Sequence, residues 1–316
     1  MSETEAGSLT SVSGIRVGHA QDTSAKTGVT VVLCGNEGAV AAVDVRGAAP
    51  GTRETDLLDP SNLVERVHAV VLTGGSVFGL DAACGVVRYL EENGIGFDTG
   101  IARVPIVPAA VIYDMGVGDP RVRPNAEMGY AACQQSSSGP VATGLVGAGT
   151  GATVGKILGH GFSSPGGVGT ASQKIRGGAT VGVLVVVNAF GDIVDPGTGE
   201  IVSGAKLPDG TGWVDTNTEI SRSEAPDLPS SSRLQNTTLA VVATDAALTP
   251  GQARRVAMMA HDGLARAIRP VHTMFDGDTV FALSTGAVVA DVTVIGSVAA
   301  DLLVRAIVGV GRAQQR

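Results

Sequence analysis

The run Ala179-Thr180-Val181-Gly182-Val183-Leu184-Val185-Val186-Val187 carries one polar side chain in nine residues. A strand with one solvated face alternates apolar and polar side chains, so a run without alternation belongs to a central strand covered on both faces. A second such run, Leu239 to Ala243, follows Asn236-Thr237-Thr238 and reads as another buried strand. Any fold for this chain must therefore cover a sheet above and below. The composition permits it, with 44% hydrophobic and 16% charged residues. Aromatic residues are only 3% while glycines number 45, so the interior must be built from Val, Ala, Leu and Ile with backbones in close approach.

The remaining elements fall around these two strands. Gly28 to Leu33 and Gly38 to Val45 are expected to pair around a Gly35-Asn36-Glu37 turn. Ala69 to Leu72 is a short strand that runs through Thr73-Gly74-Gly75-Ser76 into a helix from Val77 to Glu92. The glycine pair allows close strand-to-helix approach; a phosphate cradle is the weaker alternative, because no Gly-Lys-Ser/Thr ending and no Gly-x-Gly-x-x-Gly spacing is present. Gly166 to Ser172 is a strand preceding the central one. Leu248-Thr249-Pro250 opens a helix to Ile268, with Thr as cap and Pro in the first turn. Thr279 to Ser284 is a strand, and an Ala- and Val-rich helix from Thr293 to Val310 closes the chain. Ile201 to Gln235 shows little periodicity and reads as a long surface connection.

Several classes are disfavoured. A net charge of −8 without clustered Lys and Arg argues against a nucleic-acid partner. Cys34, Cys84 and Cys133 are odd in number and set in Val- and Ala-rich sequence, which favours buried free thiols over disulfides. The five histidines form no ligand spacing, so no metal or other cofactor is expected. Met1 to Ser13 is acidic and polar, unlike a signal peptide, and no later run reaches membrane-spanning length; a cytoplasmic location without a membrane partner is the expectation.

Chemistry enters at Thr237, where a polar loop becomes a core strand. A threonine hydroxyl is a weak nucleophile until a base takes its proton. If the Asn236–Thr237 bond were cut, the α-amine of Thr237 would supply that base, with a reference pKa of about 7.7 to 8.0. The plainer alternative is a turn that begins a strand. Tyr113 follows the apolar run Ala109 to Ile112. Asn188 ends the central strand, either capping a turn or pointing an amide into a site. Lys156 closes the glycine-dense stretch Gly144 to Gly155, and Asp276-Gly277-Asp278 has ordinary turn chemistry with solvated carboxylates expected. The loop Arg46 to Asp59 is either solvated or lines a site.

Taken together, these motifs resemble the L-aminopeptidase D-esterase (DmpA) family of self-processing hydrolases, which includes β-aminopeptidases and nylon-oligomer hydrolases. The resemblance runs from Gly14-Ile15-Arg16-Val17-Gly18-His19, through the strand after Thr237, to Phe275-Asp276-Gly277-Asp278-Thr279-Val280-Phe281-Ala282. It implies an α+β fold, a four-layer α-β-β-α sandwich of the type shared with the ornithine acetyltransferases. It implies one domain made of a 1–236 and a 237–316 fragment after self-cleavage, with 202–236 a flexible segment before the cut, and a homotetramer of such units. By the same resemblance Thr237 is the nucleophile, Asn236 precedes the cut, Asn188 is the oxyanion-hole amide and Tyr113 is an active-site residue. Lys156, Asp276 and Asp278 match the nylon-oligomer branch. The founding aminopeptidases carry Gly-Ser at the cut and a Ser/Glu pair in place of the two aspartates. The implied activity is hydrolysis of short peptides or oligoamides through an acyl-threonine; acyl transfer, and an uncut assembly protein, are the rivals.

Overall fold

The computed structural model describes residues 7–222 and 236–314. Two sheets dominate it. The larger has six strands in the order Gly167–Lys174, Thr180–Asn188, Thr237–Ala246, Thr279–Val288, Ala39–Val45 and Arg66–Val67. The two apolar runs are neighbours at its centre, antiparallel, with every residue from Val181 to Asn188 and from Thr237 to Thr244 buried. Thr237–Ala246 and Thr279–Val288 are parallel, as the helix Pro250–Ala267 between them requires. That helix starts as expected: the Thr249 side chain accepts from Gln252 N–H, Gln252 reaches back to the Thr249 N–H, and Pro250 takes the first turn.

The second sheet has five strands in the order Arg16–Asp22, Thr27–Leu33, Ala69–Thr73, Ala109–Val111 and Thr52–Arg53. The expected hairpin of residues 28–33 with 38–45 therefore does not form. Thr27–Leu33 pairs with Arg16–Asp22 and Ala69–Thr73, while Ala39–Val45 pairs across the other sheet with Thr279–Val288. Both strands are rich in apolar residues and gain more as interior strands of separate sheets than as a two-stranded ribbon. The 34–38 turn carries the chain between the sheets, helped by Gly38 at φ +68°.

Among the described residues, the three larger hydrophobic clusters hold the main elements together. One joins inward residues of both sheets, among them Val32, Val70, Leu72 and Ile112 with Leu184, Val186, Leu239, Val241 and Phe281. A second joins Val181, Val183, Val185 and Val242 to the helices Pro250–Ala267 and Val292–Ala313. The third joins Val29, Val31 and Val71 to the helices Ala82–Glu92 and Ala126–Gln134. Each buried Val or Leu stabilises the fold by about 1.5–3 kcal/mol relative to an exposed one. The alternation of Val183, Val185 and Val187 with Leu184 and Val186 splits the central strand between two cores, which is why its sequence shows no polar face.

Four other expectations are corrected. The helix expected from Val77 begins as a 3-10 turn, Ser76–Asp81, and becomes α-helical only at Ala82, because Gly75 and Ser76 take positive φ and turn the chain sharply. The helix Val292–Ala313 is long and apolar enough to cross a membrane by length and composition, contrary to the reading that no run reaches that length; its most apolar 18 residues are two-thirds buried in the protein, against the central sheet and the neighbouring helix. Of the expected surface connection, residues 201–222 are structured: Ile201–Ser203, Ala205–Lys206 and Trp213–Val214 are strands and Thr216–Arg222 a helix. Polar clamping explains the lack of periodicity. Buried Asp192 accepts hydrogen bonds from Ala205 N–H, Thr216 N–H and the Thr216 hydroxyl. The rest of that segment, 223–235, lies outside the described residues. Cys34 and Cys133 are buried as expected, but Cys84 is exposed and accepts a hydrogen bond from Arg53.

Candidate active site

Strand direction assembles the site. Because Thr180–Asn188 and Thr237–Ala246 are antiparallel, the last residue of one, Asn188, stands opposite the first residue of the other, Thr237. Because Thr237–Ala246 and Thr279–Val288 are parallel, the Asp276-Gly277-Asp278 turn arrives at the same sheet end, and Asn236 bridges to Asp276. From the other sheet, Ala109–Val111 runs on to Tyr113, whose carbonyl accepts a hydrogen bond from Asn188 Nδ2 at 3.3 Å. The structure thus brings together all seven residues singled out above, Tyr113 through its main chain. Its side chain is half-buried, and its hydroxyl makes no hydrogen bond among the described residues.

Thr237 is only 5% exposed. Its Oγ1 donates to the Asn236 carbonyl oxygen at 2.5 Å, so the hydroxyl lies beside the carbonyl group of the preceding residue. The same oxygen accepts the Gly277 N–H at 3.0 Å. Glycine is required at 277, since a Cβ there would lie 2.7 Å from Thr237 Oγ1 and 2.8 Å from the Ala49 carbonyl. The loop holding Ala49 backs this turn: Arg46 and Gly47 N–H donate to the Asp278 carbonyl, and Ala49 N–H to that of Asp276.

Both turn carboxylates are buried, at 1% and 0% exposure, where ordinary turn chemistry predicts solvation. The difference comes from donors that the fold aims at them. Asp276 accepts from Thr273 N–H and Oγ1 through one oxygen and from Phe190 N–H through the other. Burial, then the neighbouring charge of Asp278, pushes its carboxyl up to about 6. Asp278 accepts the Thr238 N–H at 2.6 Å through Oδ1, and the N–H and Nδ1 of His272, at 3.1 and 2.7 Å, through Oδ2.

Lys156 has no exposed surface, and its Nζ donates to the main-chain and side-chain oxygens of Asn188 at 3.0 and 2.9 Å. The Asn188 side-chain oxygen also accepts Thr153 N–H at 3.0 Å. Burial pulls the Lys156 ammonium down to about 7, against the opposing charges of Asp276, Asp114 and Asp278. Asp114 is a residue that sequence reasoning passed over. Its carboxylate accepts from the Thr27 hydroxyl and from Gly75 N–H, both at 2.7 Å, and burial raises its pKa. A Cβ on Gly74 would collide with this carboxylate, so the glycine pair makes room for a carboxylate of the chain itself where a phosphate cradle was the alternative. His272 and Gly277 were also missed as site residues. Their only sequence signal is a place within six residues of Asp278.

Chemically, the arrangement presents a hydroxyl beside a carbonyl, a backbone donor on that carbonyl oxygen, and an amine and a carboxyl, Lys156 and Asp276, brought by burial to about 7 and about 6. Those are the parts of an acyl shift.

Similarity to known proteins places the chain in a family. Residues 7–312 match the model of peptidase family S58. An uncharacterized aminopeptidase of Mycobacterium bovis is 48% identical, covering 97% of this chain and 94% of its own. A 6-aminohexanoate-oligomer endohydrolase of a Kocuria species is 32% identical over 86% of this chain and 73% of its own. Among solved structures, the L-aminopeptidase D-Ala-esterase/amidase of Ochrobactrum anthropi, described as a variant among the Ntn hydrolase fold, superposes with a TM-score of 0.72 at 22% identity, over 98% of this chain and 88% of that one.

Proposed function

The chain belongs to peptidase family S58 and is a peptide or amide hydrolase, and from that premise we propose that it cuts itself between Asn236 and Thr237 and then works through an acyl-Thr237 ester. The observation that carries the reading is the Thr237 hydroxyl lying on the Asn236 carbonyl while Gly277 N–H already holds that oxygen. Attack by Oγ1 turns the peptide into an ester, and water then releases Thr237 with a free amine. In turnover that amine takes the hydroxyl proton and passes it to the leaving amine, with the Asn188 amide as oxyanion donor. The three hydrophobic clusters fit the interfaces of a four-layer α-β-β-α sandwich, with Thr237 at one end of the inner pair of sheets. Denaturing mass spectrometry tests the reading directly: two fragments, 1–236 and 237–316, support it, and one intact chain refutes it.

Before the cut Thr237 has no amine, so another group must accept its proton. Lys156 is suited to this, being half neutral at about pH 7 and bonded to Asn188 opposite Thr237. Protonated Lys156 cannot act as a base, so the rate of self-cleavage is expected to rise with pH through about 7 and level off above it. Refolding precursor at a series of pH values and following fragment appearance measures the limb. A rate independent of pH between 5 and 9 excludes Lys156 as the base.

The substrate class follows from the carboxylates. Asp276 and Asp278 both accept hydrogen bonds from the protein, which leaves little reason for either to demand a substrate ammonium. We therefore favour internal amides of ω-amino acid oligomers over strictly N-terminal cleavage. A free-amine oligoamide and its N-acetylated form are expected to turn over at rates within about tenfold of each other, a difference near 1.4 kcal/mol. Turnover of the free-amine form alone would restore an aminopeptidase.

A further inference from the structure

We propose, building on the hydrolase reading above, that His272 is a positioning residue which fixes the nucleophile strand through Asp278. Asp278 has two oxygens and two tasks. Oδ1 holds the N–H of Thr238, the residue next to the nucleophile, at 2.6 Å. Oδ2 is held by the His272 main-chain N–H at 3.1 Å and by its ring Nδ1 at 2.7 Å. An ionised carboxylate only accepts, so Nδ1 carries the proton. With both oxygens engaged the carboxylate plane is set, and with it the position of Thr238 and the exit direction of Thr237. With the ring absent, the buried Oδ2 keeps a single protein donor, and a water entering beside it through the partly exposed place of the ring would not fix the carboxylate plane as the ring does.

Two further features mark the ring as placed. His272 has φ +54°, a left-handed conformation that costs a residue with a Cβ about 1 kcal/mol and persists where the surroundings over-determine it. Its ring also packs edge-on against His261, with centroids 4.8 Å apart. His261 is fully buried on the helix Pro250–Ala267, and its Nε2 meets the Asp44 carbonyl at 3.0 Å, so Nε2 is the protonated nitrogen. A chain of contacts thus runs from the Asp44 strand through His261, His272 and Asp278 to Thr238. None of the three side chains in it, those of His261, His272 and Asp278, needs to touch substrate. Their effect falls on the placement of Thr237, where an error of about 1 Å costs on the order of 10²-fold in rate.

The test uses two variants chosen for the backbone. His272→Gly removes the ring and tolerates positive φ without strain. His272→Asn also tolerates that conformation and carries an amide nitrogen as many bonds from Cα as Nδ1, so it can donate to Oδ2. His272→Gly is expected to lower kcat about 10- to 100-fold with KM changed less than about twofold, and His272→Asn to recover most of that loss. Wild-type kcat in His272→Gly, or a folded His272→Asn no better than His272→Gly, overturns the proposal. Nitrogen NMR of histidine-labelled wild-type protein is a check independent of activity: the His272 ring should be protonated at Nδ1 with a slowly exchanging proton, and an Nε2-protonated ring refutes it. A wild-type chain that neither cuts nor hydrolyses would refute the hydrolase reading instead, and the NMR result would still decide the role of His272.

Discussion

Thr237→Ala is expected to give a single uncut chain with hydrolysis reduced by roughly 10⁴-fold or more, the scale on which loss of a nucleophile acts. The variant should fold, because the hydroxyl's hydrogen bond is to the Asn236 carbonyl, which keeps the Gly277 N–H when the hydroxyl is gone. Net loss of one such bond costs about 1 kcal/mol. Removal of Oγ1 therefore separates chemistry from stability more cleanly than any other change at the site. The measurement is the mass of the denatured protein together with oligoamide turnover. A Thr237→Ala chain that still splits after Asn236 would show that another group, or another protein, makes the cut.

The parts legible in sequence are those where local pattern and tertiary environment agree. Val181 to Val187 reads as a doubly covered strand because each of its faces meets its own core, and Thr249-Pro250 reads as a helix start because the cap is local. The failures are non-local. Nothing in Gly28 to Val45 distinguishes a hairpin from two strands in different sheets, since both arrangements bury the same side chains and only the partners differ. Residues 201–222 look irregular because the buried Asp192 carboxylate orders them, and no hydrophobic period records that. At the site, Thr237 and Asn188 were visible as strand ends. The turn carboxylates looked solvated because their donors lie on Thr273, Phe190, Thr238 and His272, and only folding aims Phe190 and Thr238 at them. Asp114 was hidden for the same reason, its partners Thr27 and Gly75 being 87 and 39 residues away in the chain.

Those same contacts decide how Asn188 should be tested. Truncation to Ala would take the side-chain acceptor from Thr153 N–H and from Lys156, and each buried donor left unsatisfied costs about 1–3 kcal/mol. Lost activity in that variant would mix catalysis with damage to the fold. Asn188→Asp keeps the oxygen that Thr153 and Lys156 use and replaces the amide donor by a second acceptor, which the Tyr113 carbonyl must move away from. A carboxylate there pairs with the Lys156 ammonium and keeps the Thr153 bond, which offsets the lost bond to the Tyr113 carbonyl; thermal unfolding checks that the variant is folded, and the ammonium should hold its proton above its present value of about 7. Two results are expected together: kcat falls about 10²- to 10³-fold with KM little changed, as for loss of one oxyanion donor, and the pH limb of self-cleavage moves upward. The second result reports on Lys156 and the first on the amide, so each is read separately. A folded Asn188→Asp enzyme with unchanged kcat would return Asn188 to a structural role, holding Lys156 and the Tyr113 loop in place while Gly277 N–H serves as the donor to the reacting carbonyl.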